Sequence, residues 1–103
     1  MSILFNRLFG KSDDLRDVYE RGAIILDVRT PEEFRSGHVK GAVNIPLNLL
    51  EKNISHLRKE NKPVITCCRS GARSDAARTM LEAAGIEVYN GGPWDFLNQK
   101  IQK

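Results

Sequence analysis

The sequence predicts an α/β domain with an open, mainly parallel sheet flanked by helices on both faces. Three observations carry that expectation. Apolar, β-type runs alternate with amphipathic stretches along the whole chain. The first such run, Ala23-Ile24-Ile25-Leu26-Asp27-Val28, is nearly continuous rather than alternating, as suits a strand buried on both faces. No hairpin-type turn joins adjacent strands, so the connections read as helical crossovers.

The elements follow in order. Ile3, Leu4, Phe5, Leu8 and Phe9 can line one side of a short helix ended by Gly10; such an arm packs on the domain or docks a partner or a membrane surface. Ser12, Asp13 and Asp14 offer a cap and first-turn acids for a helix to about Arg21, with Leu15, Val18 and Tyr19 inward and Gly22 as its stop. The strand from Ala23 to Val28 is interrupted by Asp27, which if buried must be hydrogen-bonded or paired, either as an anchor for a nearby loop or as a site residue. Thr30-Pro31-Glu32-Glu33 reads as a capping box for a helix to about Ser36, closed by Gly37. His38 follows in a turn without metal-ligand spacing and reads as structural, ahead of a very short strand ended by Pro46. From Leu47 to Asn61, Leu50, Ile54 and Leu57 recur at helical spacing opposite a charged face. Lys62-Pro63 breaks the chain before a strand from Val64 to Cys67. The helix expected over Ser74 to Ala84 carries Ala76, Ala77, Met80, Leu81 and Ala84 on one stripe, with Gly85 as its cap. Ile86 to Tyr89 form a last strand, Asn90-Gly91-Gly92 a tight turn, and Pro93 opens a terminal helix with Trp94, Leu97 and Ile101 inward.

Composition narrows the chemistry. At 103 residues, 41% of them hydrophobic, the chain suffices for one core. Its 16 basic and 13 acidic residues leave only +3, scattered without the clustering expected of a nucleic-acid surface, but compatible with a small anionic substrate. The two cysteines are neighbours, which excludes a disulfide framework and points to free thiols in a reducing compartment. The N-terminus shows neither a secretion signal nor a membrane span, so a cytoplasmic setting is expected.

The chemistry concentrates in Val64-Ile65-Thr66-Cys67-Cys68-Arg69-Ser70-Gly71-Ala72-Arg73, where a strand ends in two cysteines and a loop leads into a helix. Backbone N–H groups and the positive end of the helix dipole hold an anion there, and a cysteine so placed ionises more readily than a free one.

Three segments resemble the single-domain rhodanese family of sulfurtransferases. They are Leu26-Asp27-Val28-Arg29 with Glu32, Glu33, Phe34, Gly37-His38-Val39-Lys40-Gly41-Ala42 and Ile45-Pro46; the six-residue loop Cys68-Arg69-Ser70-Gly71-Ala72-Arg73; and Gly91-Gly92 with Trp94. The resemblance covers about residues 12–101, so the expected organisation is the apolar arm over residues 1–11 followed by a rhodanese-like domain over 12–103. It implies that thiolate Cys68 takes sulfane sulfur from thiosulfate or a persulfide and passes it, through a Cys68 persulfide, to a thiol or protein acceptor. No cofactor, metal, nucleic acid or membrane span is implied. Within the loop, backbone N–H groups from Arg69 to Arg73, Ala72 included, would stabilise the sulfur anion, Arg69 would attract anionic donors, Ser70 can donate a hydroxyl proton, Gly71 allows torsions that side chains forbid, and Arg73 would brace the loop or contact the sulfur. Asp27 and Arg29 would support it.

Two departures from the pattern matter. Trp94 follows the glycine pair closely, which makes packing its expected role. Cys67 stands where the family more often has an aromatic or aliphatic residue, and counting from Cys67 gives five residues before Arg73, the spacing of cysteine-dependent phosphatases and some arsenate reductases. Thr66 in place of the histidine that precedes a phosphatase cysteine favours Cys68. Strand alternation then points Cys67 away from the site, as a buried residue or a resolving thiol. A non-catalytic sulfur-carrier or binding module is the remaining alternative.

Overall fold

The computed structural model describes residues 14–102; the expected apolar arm and the Ser12 cap lie outside the described residues. Helix α1 (Leu15–Glu20) starts at Asp14, whose carboxylate accepts the N–H of Arg16 at 3.1 Å and of Asp17 at 3.5 Å. It buries Leu15 and Val18. Four strands follow: β1 (Ile24–Asp27), β2 (Val43–Asn44), β3 (Val64–Cys68) and β4 (Val88–Pro93). They form one sheet in the order β2-β1-β3-β4, and every pairing is parallel. The register sets Asp27 beside Cys67 on one side and Asn44 on the other.

The pleat sorts the apolar residues into two layers. Leu26, Val28, Val64 and Cys68 face Leu50, Leu57, Ala77 and Leu81 on helices α3 (Leu47–Leu50), α4 (Ile54–Glu60) and α5 (Ala72–Ala83). Ile25, Ile65 and Cys67 face Leu15 and Val18 of α1 and Leu97 and Ile101 of α6 (Trp94–Ile101). Each fully buried Leu, Ile or Val contributes about 1.5–3 kcal/mol relative to exposure. No helix among the described residues is long and apolar enough to cross a membrane.

The capping box at α2 (Pro31–Arg35) forms as expected: Glu33 N–H donates to Thr30 Oγ1 at 3.2 Å, and Thr30 N–H to Glu33 Oε1 at 2.9 Å. His38 stacks on Phe34 with ring centroids 3.7 Å apart, and its Nδ1 lies 2.7 Å from the Phe34 carbonyl, which accounts for it structurally.

Three expectations are corrected. The helical stretch from Leu47 to Asn61 is not continuous. A 3-10 turn at Glu51–Asn53 separates α3 from α4, where the Asn53 side chain donates to the Leu49 carbonyl at 2.9 Å and its backbone leaves the helical region (φ −106°, ψ 1°). Helix α5 begins at Ala72 rather than Ser74, and Ala76 of the expected stripe is exposed while Ser74 is buried. Asn90-Gly91-Gly92 is strand rather than turn. Two steps on β3, from Thr66 to Cys68, face three on β4, from Asn90 to Pro93, so the glycine pair forms a bulge. A Cβ on Gly91 would lie 2.7 Å from the Thr66 carbonyl oxygen, so only glycine allows β4 to stay this close to β3.

Candidate active site

Strand β3 delivers Cys68 to the carboxyl end of the sheet, where ligands of open α/β folds bind. The chain turns through Arg69 and Ser70, both exposed, into Gly71, whose φ of +108° belongs to the left-handed region that a side chain disfavours. Gly71 is the N-cap of α5 and has no side chain to satisfy the first helical N–H groups. Cys68 Sγ does this instead. It accepts the N–H of Gly71 at 3.0 Å and of Ser74 at 3.3 Å, and lies 3.4 Å from Ser74 Oγ.

Burial pushes the Cys68 thiol up, but the Ser74 side chain and the backbone N–H groups of Ser74, Gly71 and Ser70 pull it down, and the net direction is below an ordinary cysteine. The anionic form of this sulfur, at a helix N-terminus, is therefore favoured relative to that of an ordinary cysteine. Cys67, one residue earlier, points into the opposite layer. Burial, with the Asp27 carboxylate adding to it, pushes its thiol up to about 12 against the opposing pull of Arg29. Both residues are fully buried and neither is in a disulfide.

Arg73 braces the loop rather than touching the sulfur. Its guanidinium makes a two-point pair with Glu33 (2.9 and 3.1 Å), so the carboxylate that completes the α2 capping box also holds the cysteine loop. Hydrogen bonds from Arg73 first, then from Thr30 N–H, lower the Glu33 carboxyl to about 2. Arg69 is exposed and forms no ion pair among the described residues, consistent with an unengaged cation at the loop. A cavity of about 300 Å³ borders the loop at Arg73, lined also by Val28, Thr30, Pro46, Leu47 and Asn48.

Asp27 and Arg29 form a buried pair behind this site. Arg29 Nε donates to Asp27 Oδ1 at 2.9 Å and Nη2 to Oδ2 at 2.7 Å, while the backbone N–H of Arg29 donates to Oδ1 at 3.1 Å. The same guanidinium donates to the carbonyls of Glu33 (3.2 Å) and Gly37 (2.7 Å) and lies over the Trp94 ring at 4.9 Å. Asp27 is thus the anchor of the β1–α2 segment, and Trp94 packs between that anchor and Gly37.

Two residues outside the sequence-derived set join the site. Ser74 reaches Cys68 through both its N–H and its hydroxyl; Asn90 on β4 holds that hydroxyl at 2.7 Å and accepts the Gly92 N–H at 2.9 Å. Ser74 could have been found from its place six residues after Cys68 had the helix been started at Ala72; Asn90 depends on the β3–β4 register, which no local pattern reports.

Residues 11–97 match the family described as rhodanese-like domain. The Bacillus subtilis protein YqhL is 42% identical over 71 residues, which cover 68% of this chain and 56% of that protein. The Arabidopsis thaliana protein named Thiosulfate sulfurtransferase 16, chloroplastic, is 40% identical over 82 residues, covering 68% of each chain. This chain thus spans little more than half the length of the Bacillus relative. Among solved structures, a rhodanese with anions from E. coli superposes with a TM-score of 0.65 and 33% identity, covering 71% of this chain and 88% of that one. With the cysteine loop inside the matched region and the all-parallel sheet shared with solved members, the chain belongs to the rhodanese-like domain family.

Proposed function

We propose that the protein is a sulfurtransferase in which Cys68 carries sulfane sulfur from thiosulfate or a persulfide to a nucleophilic acceptor, a thiol or a protein. The observation that carries this reading is the seat of Cys68 Sγ at the start of α5, where two backbone N–H groups meet one sulfur. The thiolate attacks the outer sulfur of thiosulfate, the S–S bond of the donor breaks, and sulfite leaves with the bonding pair. The persulfide so formed on Cys68 is again an anion, which the helix terminus favours. An acceptor nucleophile then bonds to the terminal sulfur, and the Cys68 thiolate leaves. Exposed Arg69 draws anionic donors towards the loop, and the Glu33–Arg73 pair keeps the loop in shape. A reducing, cytoplasmic setting suits two free thiols.

A phosphatase or arsenate reductase built on Cys67 fits poorly, because that thiol faces the core of the opposite layer and resists ionisation. Incubation with thiosulfate and cyanide should yield thiocyanate, with one extra sulfur by mass on Cys68. Cys68→Ser should abolish turnover and Cys67→Ala should retain it. Turnover that survived Cys68→Ser would overturn the assignment.

A further inference from the structure

The hydroxyl of Ser74 has more acceptors than protons. Its Oγ lies 2.7 Å from Asn90 Oδ1, 3.1 Å from the Gly71 carbonyl and 3.4 Å from Cys68 Sγ. The Gly71 carbonyl already accepts the helical N–H of Asp75 at 3.1 Å. The orientation of the Asn90 amide is fixed independently, since the Gly92 backbone N–H donates to Oδ1 at 2.9 Å and can do so only to an oxygen. The nearest acceptor for the one Ser74 proton is therefore on β4, outside the cysteine loop.

We propose that Asn90 is a positioning residue that competes with Cys68 for the single hydroxyl proton of Ser74. The inference rests on the reading of Cys68 as the reacting thiolate. With the proton on the Asn90 side, Ser74 Oγ turns a lone pair to Cys68, which suits an S–H donor and not a sulfur anion. Assisting the anion requires the hydroxyl to rotate towards sulfur and leaves Asn90 Oδ1 with Gly92 alone. Asn90 thus holds back part of the stabilisation available to the thiolate and ties it to the β4 bulge. The N–H groups of Gly71 and Ser74 are unaffected by this choice. The charged and titratable groups near Cys68 are the exposed Arg69 of the loop, the Arg73 guanidinium of α5, matched by Glu33 of α2, and the neighbouring Cys67 thiol, which faces the Asp27–Arg29 pair of β1 on the other layer. None of them supplies or accepts the Ser74 proton.

The test is a pH titration of the Cys68 thiolate by its ultraviolet absorbance, with Cys68→Ser as the blank. Asn90→Leu frees the Ser74 hydroxyl and should lower the midpoint by about one pH unit, a roughly tenfold gain in thiolate below it. Introduced into Ser74→Ala, the same substitution should leave the midpoint where Ser74→Ala puts it. Asn90→Asp keeps both acceptor contacts and so tests the idea even if the leucine variant fails to fold. Its carboxylate should grip the proton harder and raise the midpoint, by less once Ser74 is alanine. An unchanged midpoint in Asn90→Leu, or Asn90 shifts of equal size with and without the Ser74 hydroxyl, would overturn the proposal. Because the titration needs no turnover, failure of sulfur transfer would show separately as absent thiocyanate.

Discussion

Arg29 takes its charge into the interior, and Asp27 is the reason it can stay there. The carboxylate accepts from both the guanidinium and the backbone N–H of Arg29, so removing the side chain strands a fully buried anion. Arg29→Ala should therefore cost about 3–5 kcal/mol in chemical denaturation, whereas a loss no larger than that of an exposed pair, under about 1 kcal/mol, would deny the pair its anchoring role. Glu33 makes a second prediction. Its carboxyl is held near 2 by Arg73 and Thr30, below the value of about 4.3 of an unfolded glutamate. Because the folded value is the lower, its stabilisation is present above about pH 4.3 and disappears as the pH falls through the folded value near 2. Acid unfolding of Glu33→Gln should be flatter across that window than that of the parent. Asp27 was legible because a carboxylate interrupts an apolar run, and Cys68 because a strand ends where a helix begins. Ser74 and Asn90 were not, since their meeting depends on two elements 16 residues apart in sequence.

At the scale of elements, the departures cluster around the site. Propensity marks Ser74 as a helix start, yet α5 begins two residues earlier because Cys68 Sγ takes over the N–H groups that a capping side chain would satisfy. Gly-Gly reads locally as a turn, and only the pairing with β3 reveals it as a bulge pressed against Thr66. The capping box at Thr30 was legible because it is a local contact, whereas Asp14, expected among the first-turn acids behind a Ser12 cap, is itself the N-cap of α1. The tight seat of Gly91 yields a third prediction. A methyl there would meet Thr66 O at 2.7 Å and Ile65 Cγ2 and Leu97 Cδ2 at 2.9 Å, so Gly91→Ala should destabilise by about 1–3 kcal/mol. Hydrogen exchange at the β3–β4 pairing would report the strain, and unchanged protection there would refute it.

Across the whole molecule, the central strand β3 works as a partition that gives two adjacent, chemically identical side chains opposite behaviour. Cys68 faces the α3–α5 layer at a helix terminus and is lowered; Cys67 faces the α1–α6 layer beside Asp27 and is raised to about 12. The consequence for stability has opposite signs. Cys68, with its folded value below the unfolded one of about 8.5, contributes stability that is fully present above that pH and lost as the pH falls through its folded value. Cys67 does the reverse. Below about pH 8.5 it is neutral in both states, and above it the unfolded chain ionises while the folded chain does not, so stability drains towards pH 12. Tyr89, also raised to about 12, adds to the loss only above about pH 10. Cys67→Ala should be less stable than the parent at pH 7 through lost packing, but the gap should narrow above pH 8.5 by up to about 1.4 kcal/mol per pH unit. Denaturant titrations of both proteins between about pH 7 and pH 10 would measure this. A gap that stayed constant would mean that Cys67 ionises as readily folded as unfolded, and the partition drawn by β3 would have no chemical effect.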